Sequence, residues 1–222
     1  MTDALFQIAI DGPAASGKGT LARTLAMKLS YDYLDTGSLY RAVALASLQA
    51  GISADAVPDN IKNITDLAQN LALPVPDDEA LRLPETAQMA SKIASSPEVR
   101  QALVDKQRDF AMFPPTGKGA VLDGRDIGSV ILPDADLKLY IDADVNVRAK
   151  RRFLELSVKD EAITHAQVLA DLTERDARDK TRTTAPLKPA DDAHIIDSSD
   201  KSAEDVLQIA LKLVKSLNFA EK

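Results

Sequence analysis

The chain has no cysteine, which excludes both a disulfide framework and a thiolate-held metal. Histidine is almost missing too. With His165 and His194 alone, little is left from which to build an imidazole metal site. Basic residues are outnumbered, 27 Lys and Arg against 34 Asp and Glu, for a formal net charge of −7; a general nucleic-acid binder would normally carry a basic face instead. No basic region precedes the first apolar run, that run stops at Asp11, and no stretch approaches the roughly 20 apolar residues of a membrane span. A soluble cytoplasmic protein without nucleic-acid or membrane partners is therefore expected. No internal repeat and no low-complexity tract appears.

What is present suits a globular domain: 222 residues, 45% of them hydrophobic, enough for one large domain or a core with small insertions. The charge is unevenly spread. From Arg148 to Lys188 there are ten Lys or Arg against seven Asp or Glu, a balance of +3 that leaves −10 for the remainder. Cations concentrated in one segment of an acidic chain favour a compact anionic ligand such as a phosphate cluster over a long polyanion.

The chain is organised around residues 8–20, IAIDGPAASGKGT. An apolar run enters Asp11; Gly12, Pro13, Ala14, Ala15, Ser16, Gly17, Lys18, Gly19 and Thr20 follow; Leu21, Leu25 and Leu29 then recur at helical spacing. Strand, loop and helix in that order make a phosphate cradle: glycines let the backbone N–H groups turn inward, the helix N-terminus adds roughly half a positive charge, and a lysine reaches the outer phosphates. The usual pattern has Ser or Thr directly after the lysine, whereas Gly19 intervenes here before Thr20. The GKGT spelling resembles nucleoside monophosphate kinases. An ordinary glycine-rich turn with a surface lysine is the plainer alternative.

Further along, residues 31–35 read as a second strand ending at Thr36 and Gly37, before a helix marked by Leu39, Val43, Ala46 and Ala50 and closed by Gly51. Alternating strand and helix predicts a parallel sheet, with ligands at the carboxyl ends of its strands. Asp35, Thr36, Tyr40 and Arg41 would then share a rim with the phosphate loop. A cation near a helix N-terminus opposes the dipole and makes sense if an anion arrives; a solvated surface arginine is the other reading. Ile61, Ile64, Leu67 and Leu71 predict an amphipathic helix, and the two prolines of 72–78 break regular structure. A helical pattern spans about 85–94, and Ser96 with Pro97 opens another helix through Val99, Leu103 and Phe110. Ser91 and Arg100 lie on these helices, where an ordinary surface position is the plainer reading and a ligand contact the alternative.

Residues 120–128, AVLDGRDIG, form a β-type run that delivers Asp123, Arg125 and Asp126 into a turn. Asp-Gly also fits a hairpin, although the next candidate partner, 130–135, is cut by Pro133. The next clean strand is 137–142. Asp144 can cap a helix carrying Arg148, Lys150, Arg151 and Arg152, and Thr164 with Gln167 spells a capping box. On the helix that follows, Arg175, Arg178 and Arg182 recur at spacings of three and four and should share one face, with Asp179 one turn from Arg175. Pro186 would end this helix. Residues 194–198 read as the last strand, and Ser202 caps a final helix through Val206, Ile209 and Leu213.

One phosphate cradle, a second cluster of cations and carboxylates, and a basic segment fit two phosphate-bearing ligands. Moving a phosphoryl group between them needs alignment and charge neutralisation and no histidine base. Arginines on a closing lid would exclude water and stabilise the transferring group.

The segments GPAASGKGT (12–20), LDTGSLYR (34–41), DGRDIG (123–128) and ERDARDKTR (174–182), in this order, resemble the bacterial cytidylate kinase family across essentially the whole chain. That resemblance implies an α/β fold: a three-layer parallel-sheet P-loop kinase core (about 1–51, 96–152 and 185–222), a helical monophosphate-binding insertion (about 52–95) and a lid (about 153–184), all in one kinase domain. It implies phosphorylation of CMP and dCMP by ATP with magnesium, in pyrimidine nucleotide metabolism, and a monomer is expected. Residues 12–20 would bind ATP, with Thr20 toward the metal. Lys18, Arg125, Arg178 and Arg182 would be catalytic. Ser91, Arg100 and Asp126 would read the cytosine, Arg41, Arg125 and Arg182 would hold the acceptor phosphate, Arg175 and Asp179 would face the sugar, and Thr36 and Tyr40 complete the substrate set. Thr36 stands where family members often have Ser, and the segment between Gly51 and Glu85 is shorter than in members that carry a small antiparallel sheet there.

Two rivals are a kinase for another monophosphate or a small hydroxylated metabolite, and a nucleotide-switch module, whose guanine-reading Asn-Lys-x-Asp motif is absent. The cradle reading predicts that Lys18→Ala loses most turnover while its melting temperature stays at the wild-type value; a variant that unfolds would make Lys18 structural.

Overall fold

The short apolar runs become strands of one sheet. A computed structural model describes residues 5–76, 78–158 and 162–220, and among these the sheet has five strands: β1 (Phe6–Asp11), β2 (Asp32–Asp35), β3 (Gly119–Gly124), β4 (Leu137–Asp142) and β5 (His194–Asp197). Their spatial order is β2-β3-β1-β4-β5. β1 runs parallel to β3, with Ile8 opposite Val121 and Asp11 opposite Gly124, and parallel to β4, while β4 pairs in parallel with β5. Parallel pairing at β3 excludes the hairpin; residues Ile127–Ile131 form a π-helical turn instead.

Two compact units result, one over Met1–Leu34 and Ala111–Lys222, the other over Asp35–Phe110. In the first, α1 (Lys18–Leu29) packs on the sheet beside the C-terminal helix Ala203–Ala220. Ile8, Ile10, Leu25, Val121, Leu139, Ile141 and Ala210 are sealed in this core, each large apolar side chain contributing about 1.5–3 kcal/mol by leaving water.

The second unit is helical: α2 (Thr36–Gln49), α3 (Ile61–Gln69), α4 (Pro84–Ile93) and most of α5 (Pro97–Met112). α2 packs on α3 and α4, and Leu39, Val43, Ile64, Met89 and Ile93 are fully buried. The insertion drawn from sequence, 52–95, is narrower than this unit, because proline and glycine signals mark breaks in the chain while the unit is defined by what packs together. Leu71 lies beyond α3, which stops at Gln69 because the Asn70 side chain donates to the Asp66 carbonyl at 2.8 Å and closes the last turn.

Back in the first unit, α6 (Val145–Ser157) and α7 (His165–Thr181) pack on each other, with Ala149, Val168 and Leu172 buried against Ala14 of the phosphate loop. Both caps read from sequence are formed: the Asp144 carboxylate accepts from the backbone of Asn146 and Val147, and Thr164 and Gln167 make the reciprocal box. The C-terminal helix, α8 (Ala203–Ala220), starts likewise from Ser202 and Asp205. Of the 153–184 stretch read as a lid, residues 159–161 lie outside the described residues.

The join of β1 to α1 admits only glycine at its first turn. Gly12 has φ 150° and a Cβ there would stand 2.1 Å from the Ile141 carbonyl oxygen on β4. Gly12→Ala must push β1 from β4 or uncurl the loop, and is expected to cost more than about 3 kcal/mol, at the severe end for one methyl group; a thermal or urea melt within about 1 kcal/mol of wild type would contradict the packing.

Candidate active site

The loop after β1 bends three times through positive φ, at Gly12, at Ala15 (φ 59°) and at Gly17 (φ 90°), the last being the residue from which α1 departs. α1 has no side-chain cap and no acid in its first turn, so its leading N–H groups and the positive end of its dipole are left for an anion. Lys18 donates to the Pro13 carbonyl at 3.5 Å, folding back over the loop it follows.

The ends of β1 and β3 are joined by a carboxylate. Asp11, 4% exposed, accepts from the backbone N–H groups of Ile127 and Gly128, both at 2.8 Å. Burial pushes its carboxyl up to about 7 and nearby Asp126 pushes the same way, against the two amides and Lys18, which favour the charged form. Beside it Asp123, also buried, accepts from the Tyr33 hydroxyl at 2.8 Å, and its other oxygen would lie 3.6 Å from a Cβ on Gly19. The second glycine of GKGT thus faces an acid beside the first turn of α1.

Past β3 come the cations. Arg125 donates through Nε to Asp179 on α7 at 3.0 Å and through Nη1 to the Gly124 carbonyl at 3.2 Å. Arg175 stands 4.0 Å from the same Asp179 oxygen. Burial opposes charge on Asp179, yet Arg125, Arg175 and Arg182 together hold its carboxyl below the usual carboxylate range. Arg182 lies 3.8 Å from Asp126, both side chains under a tenth exposed.

Two expectations about these arginines change. Arg182 has left the helix, which ends at Thr181, and takes an extended backbone while its Nε donates to the Ala185 carbonyl at 2.6 Å. Arg178 pairs with Glu174 one turn back, the bland i,i+4 pattern, while Arg125, Arg175 and Arg182 gather around Asp179.

In the helical unit, Asp35 caps α2 by accepting from Ser38 N at 3.2 Å and holds Arg41 at 2.5 Å. A carboxylate therefore meets the cation at this helix start. Gly37 leaves the room: a Cβ there would stand 3.0 Å from Asp35 and 3.2 Å from Arg41. Thr36 is buried at the first position of α2. Ser91 and Arg100 are not surface residues; they are 7% and 4% exposed. The Arg100 guanidinium donates to the Ala94 carbonyl and lies over the Tyr40 ring, 5.8 Å from its centre.

Sequence reasoning gives no site role to Asp11, to Asp123 beyond its delivery into the turn, or to Arg148. An acid closing an otherwise apolar strand was the available signal for the first two; Arg148, 4% exposed, had none, because it looked like one of four cations on a charged helix.

A parallel sheet, a glycine-bent loop feeding an uncapped helix, and carboxylates interleaved with arginines beyond the neighbouring strand define a phosphate-binding-loop α/β kinase. Residues 8–216 match the sequence pattern of the cytidylate kinases. A cytidylate kinase of Paramagnetospirillum magneticum is 51% identical over 212 residues, covering 94% of this chain and 97% of that protein, and one of Bartonella bacilliformis is 48% identical, covering 96% and 95%. The chain belongs to the cytidylate kinase family, and with it to the nucleoside monophosphate kinases. An uncharacterized protein of Eubacterium ventriosum shares the fold at TM-score 0.54 and 15% identity, over 96% of this chain and 99% of that one. No helix among the described residues is long and apolar enough to cross a membrane.

The state of Asp11 is measurable. Its folded value, about 7, lies above the ordinary 3.8, so between these the folded protein holds one proton more than the unfolded chain. The stability this adds is complete below about pH 4 and is lost as pH rises through 7, on the order of a few kcal/mol in all. Urea unfolding from pH 4 to 8 should show this fall in wild type and a flatter profile in Asp11→Asn; parallel profiles would mean that Asp11 is ionised throughout.

Proposed function

We propose that the protein transfers the γ-phosphoryl group of ATP to CMP or dCMP, giving ADP with CDP or dCDP. The observation that carries this reading is the arrangement after β3 in the unit that holds the phosphate loop: a buried carboxylate, Asp126, faces Arg182 at 3.8 Å, next to Arg125 bound to Asp179 at 3.0 Å. The arginines suit an acceptor phosphate, whose planes of oxygens match a guanidinium fork. The carboxylate suits the cytosine amine. Uracil has a carbonyl at that place and would set acceptor against acceptor.

The loop 12–20 would hold the donor, its N–H groups and Lys18 meeting the β- and γ-phosphates. An acceptor phosphate oxygen attacks the γ-phosphorus as the bond to the β–γ bridging oxygen breaks and ADP leaves. The acceptor phosphate is already largely ionised near pH 7, so no base has to remove a proton. Lys18, Arg125 and Arg182 would neutralise charge on the group in flight. Arg178 would join them by leaving Glu174, an exposed partner worth under about 1 kcal/mol. Arg175 and Asp179 would face the sugar. From the helical unit, Arg41 would add to the acceptor phosphate, Ser91 and Arg100 to the base, and Thr36 and Tyr40 to the same nucleotide.

Magnesium would arrive with the donor, held largely by its phosphates. The Thr20 hydroxyl and the Asp123 carboxylate, close to the first turn of α1, offer the hard oxygens it prefers. When bound, the ion would draw charge from the β- and γ-oxygens.

A coupled ADP-release assay over CMP, dCMP, UMP, AMP, GMP, dTMP and shikimate tests the proposal. Cytidine monophosphates should turn over fastest, and Asp126→Asn should cut the CMP-to-UMP ratio by about tenfold or more. Faster turnover of any other acceptor overturns the assignment, and an unchanged ratio in Asp126→Asn moves base reading elsewhere.

A further inference from the structure

Two carbonyls of the phosphate loop are tied to α6, one directly and one through Ser198. Arg148 is buried, yet its guanidinium donates in three directions: Nε to the Ala143 carbonyl at 2.9 Å, Nη1 to the Ala14 carbonyl at 3.1 Å and Nη2 to Asp176 of α7 at 2.5 Å. Nearly one turn along α6, Arg151 donates to Ser198, at 2.6 Å to its carbonyl and 3.2 Å to its hydroxyl. That hydroxyl in turn donates to the Ser16 carbonyl at 2.9 Å. Two carbonyls of the loop are thus fixed from outside.

A trans peptide is planar, with its C=O and the next N–H pointing opposite ways. Fixing the Ala14 oxygen therefore aims the Ala15 N–H away from Arg148, and fixing the Ser16 oxygen aims the Gly17 N–H away from Ser198. Donors held in place before the ligand arrives bind without the ordering cost of a loop that must first settle. Ala15, a non-glycine residue at φ 59°, needs such support, since left-handed backbone costs it on the order of 1 kcal/mol or more. Only arginine fits the task at 148. A lysine ammonium lacks the rigid planar fork that reaches three acceptors on different elements.

We infer that Arg148 is a positioning residue for the donor triphosphate: it acts through the Ala14 carbonyl, with Asp176 as its counter-charge, and Arg151 acts alongside it through Ser198 on Ser16. This rests on the reading of residues 12–20 as the donor cradle. Neither arginine needs to touch the nucleotide for this role.

The test uses Arg148→Lys and Ser198→Ala, each checked by melting temperature, and reads affinity for a fluorescent ATP analogue in the absence of CMP, then KM for ATP and for CMP separately. Arg148→Lys should weaken analogue binding and raise KM for ATP about tenfold, with KM for CMP moving several-fold less. Ser198→Ala, which removes one hydroxyl, should show the same split at about threefold. A merely structural role would lower the melting temperature and leave both constants of the folded protein alone; wild-type analogue affinity in the folded variants, or equal losses for ATP and CMP, overturns the inference. Should Arg148→Lys not fold, Ser198→Ala decides alone. Analogue binding needs no phosphoryl transfer, so wild type that binds it and phosphorylates no cytidine monophosphate sinks the kinase proposal and leaves this one standing.

Discussion

Two backbone amides donating to one buried carboxylate hold this architecture in register. Asp11 closes β1 and takes the N–H groups of Ile127 and Gly128. The residue after it, Gly12, begins the phosphate loop, and the residue before Ile127 is Asp126. The glycine-bent turn after β1 and the turn that presents Arg125 and Asp126 are thereby set against each other by a single side chain. β1 is central in the sheet, flanked by β3 and β4, so this joint sits at the middle of the strand ends. Its cost is visible in the carboxyl itself, which burial drives toward the neutral form.

Around that joint the cations are matched to acids: Arg148 to Asp176, Arg125 to Asp179, Arg182 to Asp126. Buried pairs of this kind add little net stability, because desolvation offsets most of the attraction. What they do here is fix direction. Each guanidinium has a defined partner on another segment, and α7, which carries Asp176 and Asp179, is tied to α6 and to the end of β3 through them.

Much of this was legible in the sequence for a physical reason: strands, helices and caps are written in local spacing. The apolar runs at 8–10, 120–122 and 139–141, the caps Asp144 and Thr164 with Gln167, and the glycines of 12–20 all act within a few residues of themselves. Side-chain partners are not local. Asp11 meets residues 116 and 117 positions away, and Arg148 meets Ala14 across 134; no periodicity encodes such meetings. For the same reason Arg182 reads as a helical residue in the sequence, since its spacing from Arg178 continues the pattern, whereas its backbone turns extended after Thr181. The depth of Ser91 and Arg100 is hidden too, because a polar residue on a helix carries no local sign of what packs over it.

Asp179 sits among Arg125, Arg175 and Arg182, and the acid decides how that cluster behaves before any ligand comes. Three guanidiniums crowded together in a poorly hydrated place would drive one another apart. With a carboxylate in their midst they stay gathered. Under the proposed function, an arriving phosphate would share cations that the resident acid already neutralises, and its departure would leave no bare cation behind.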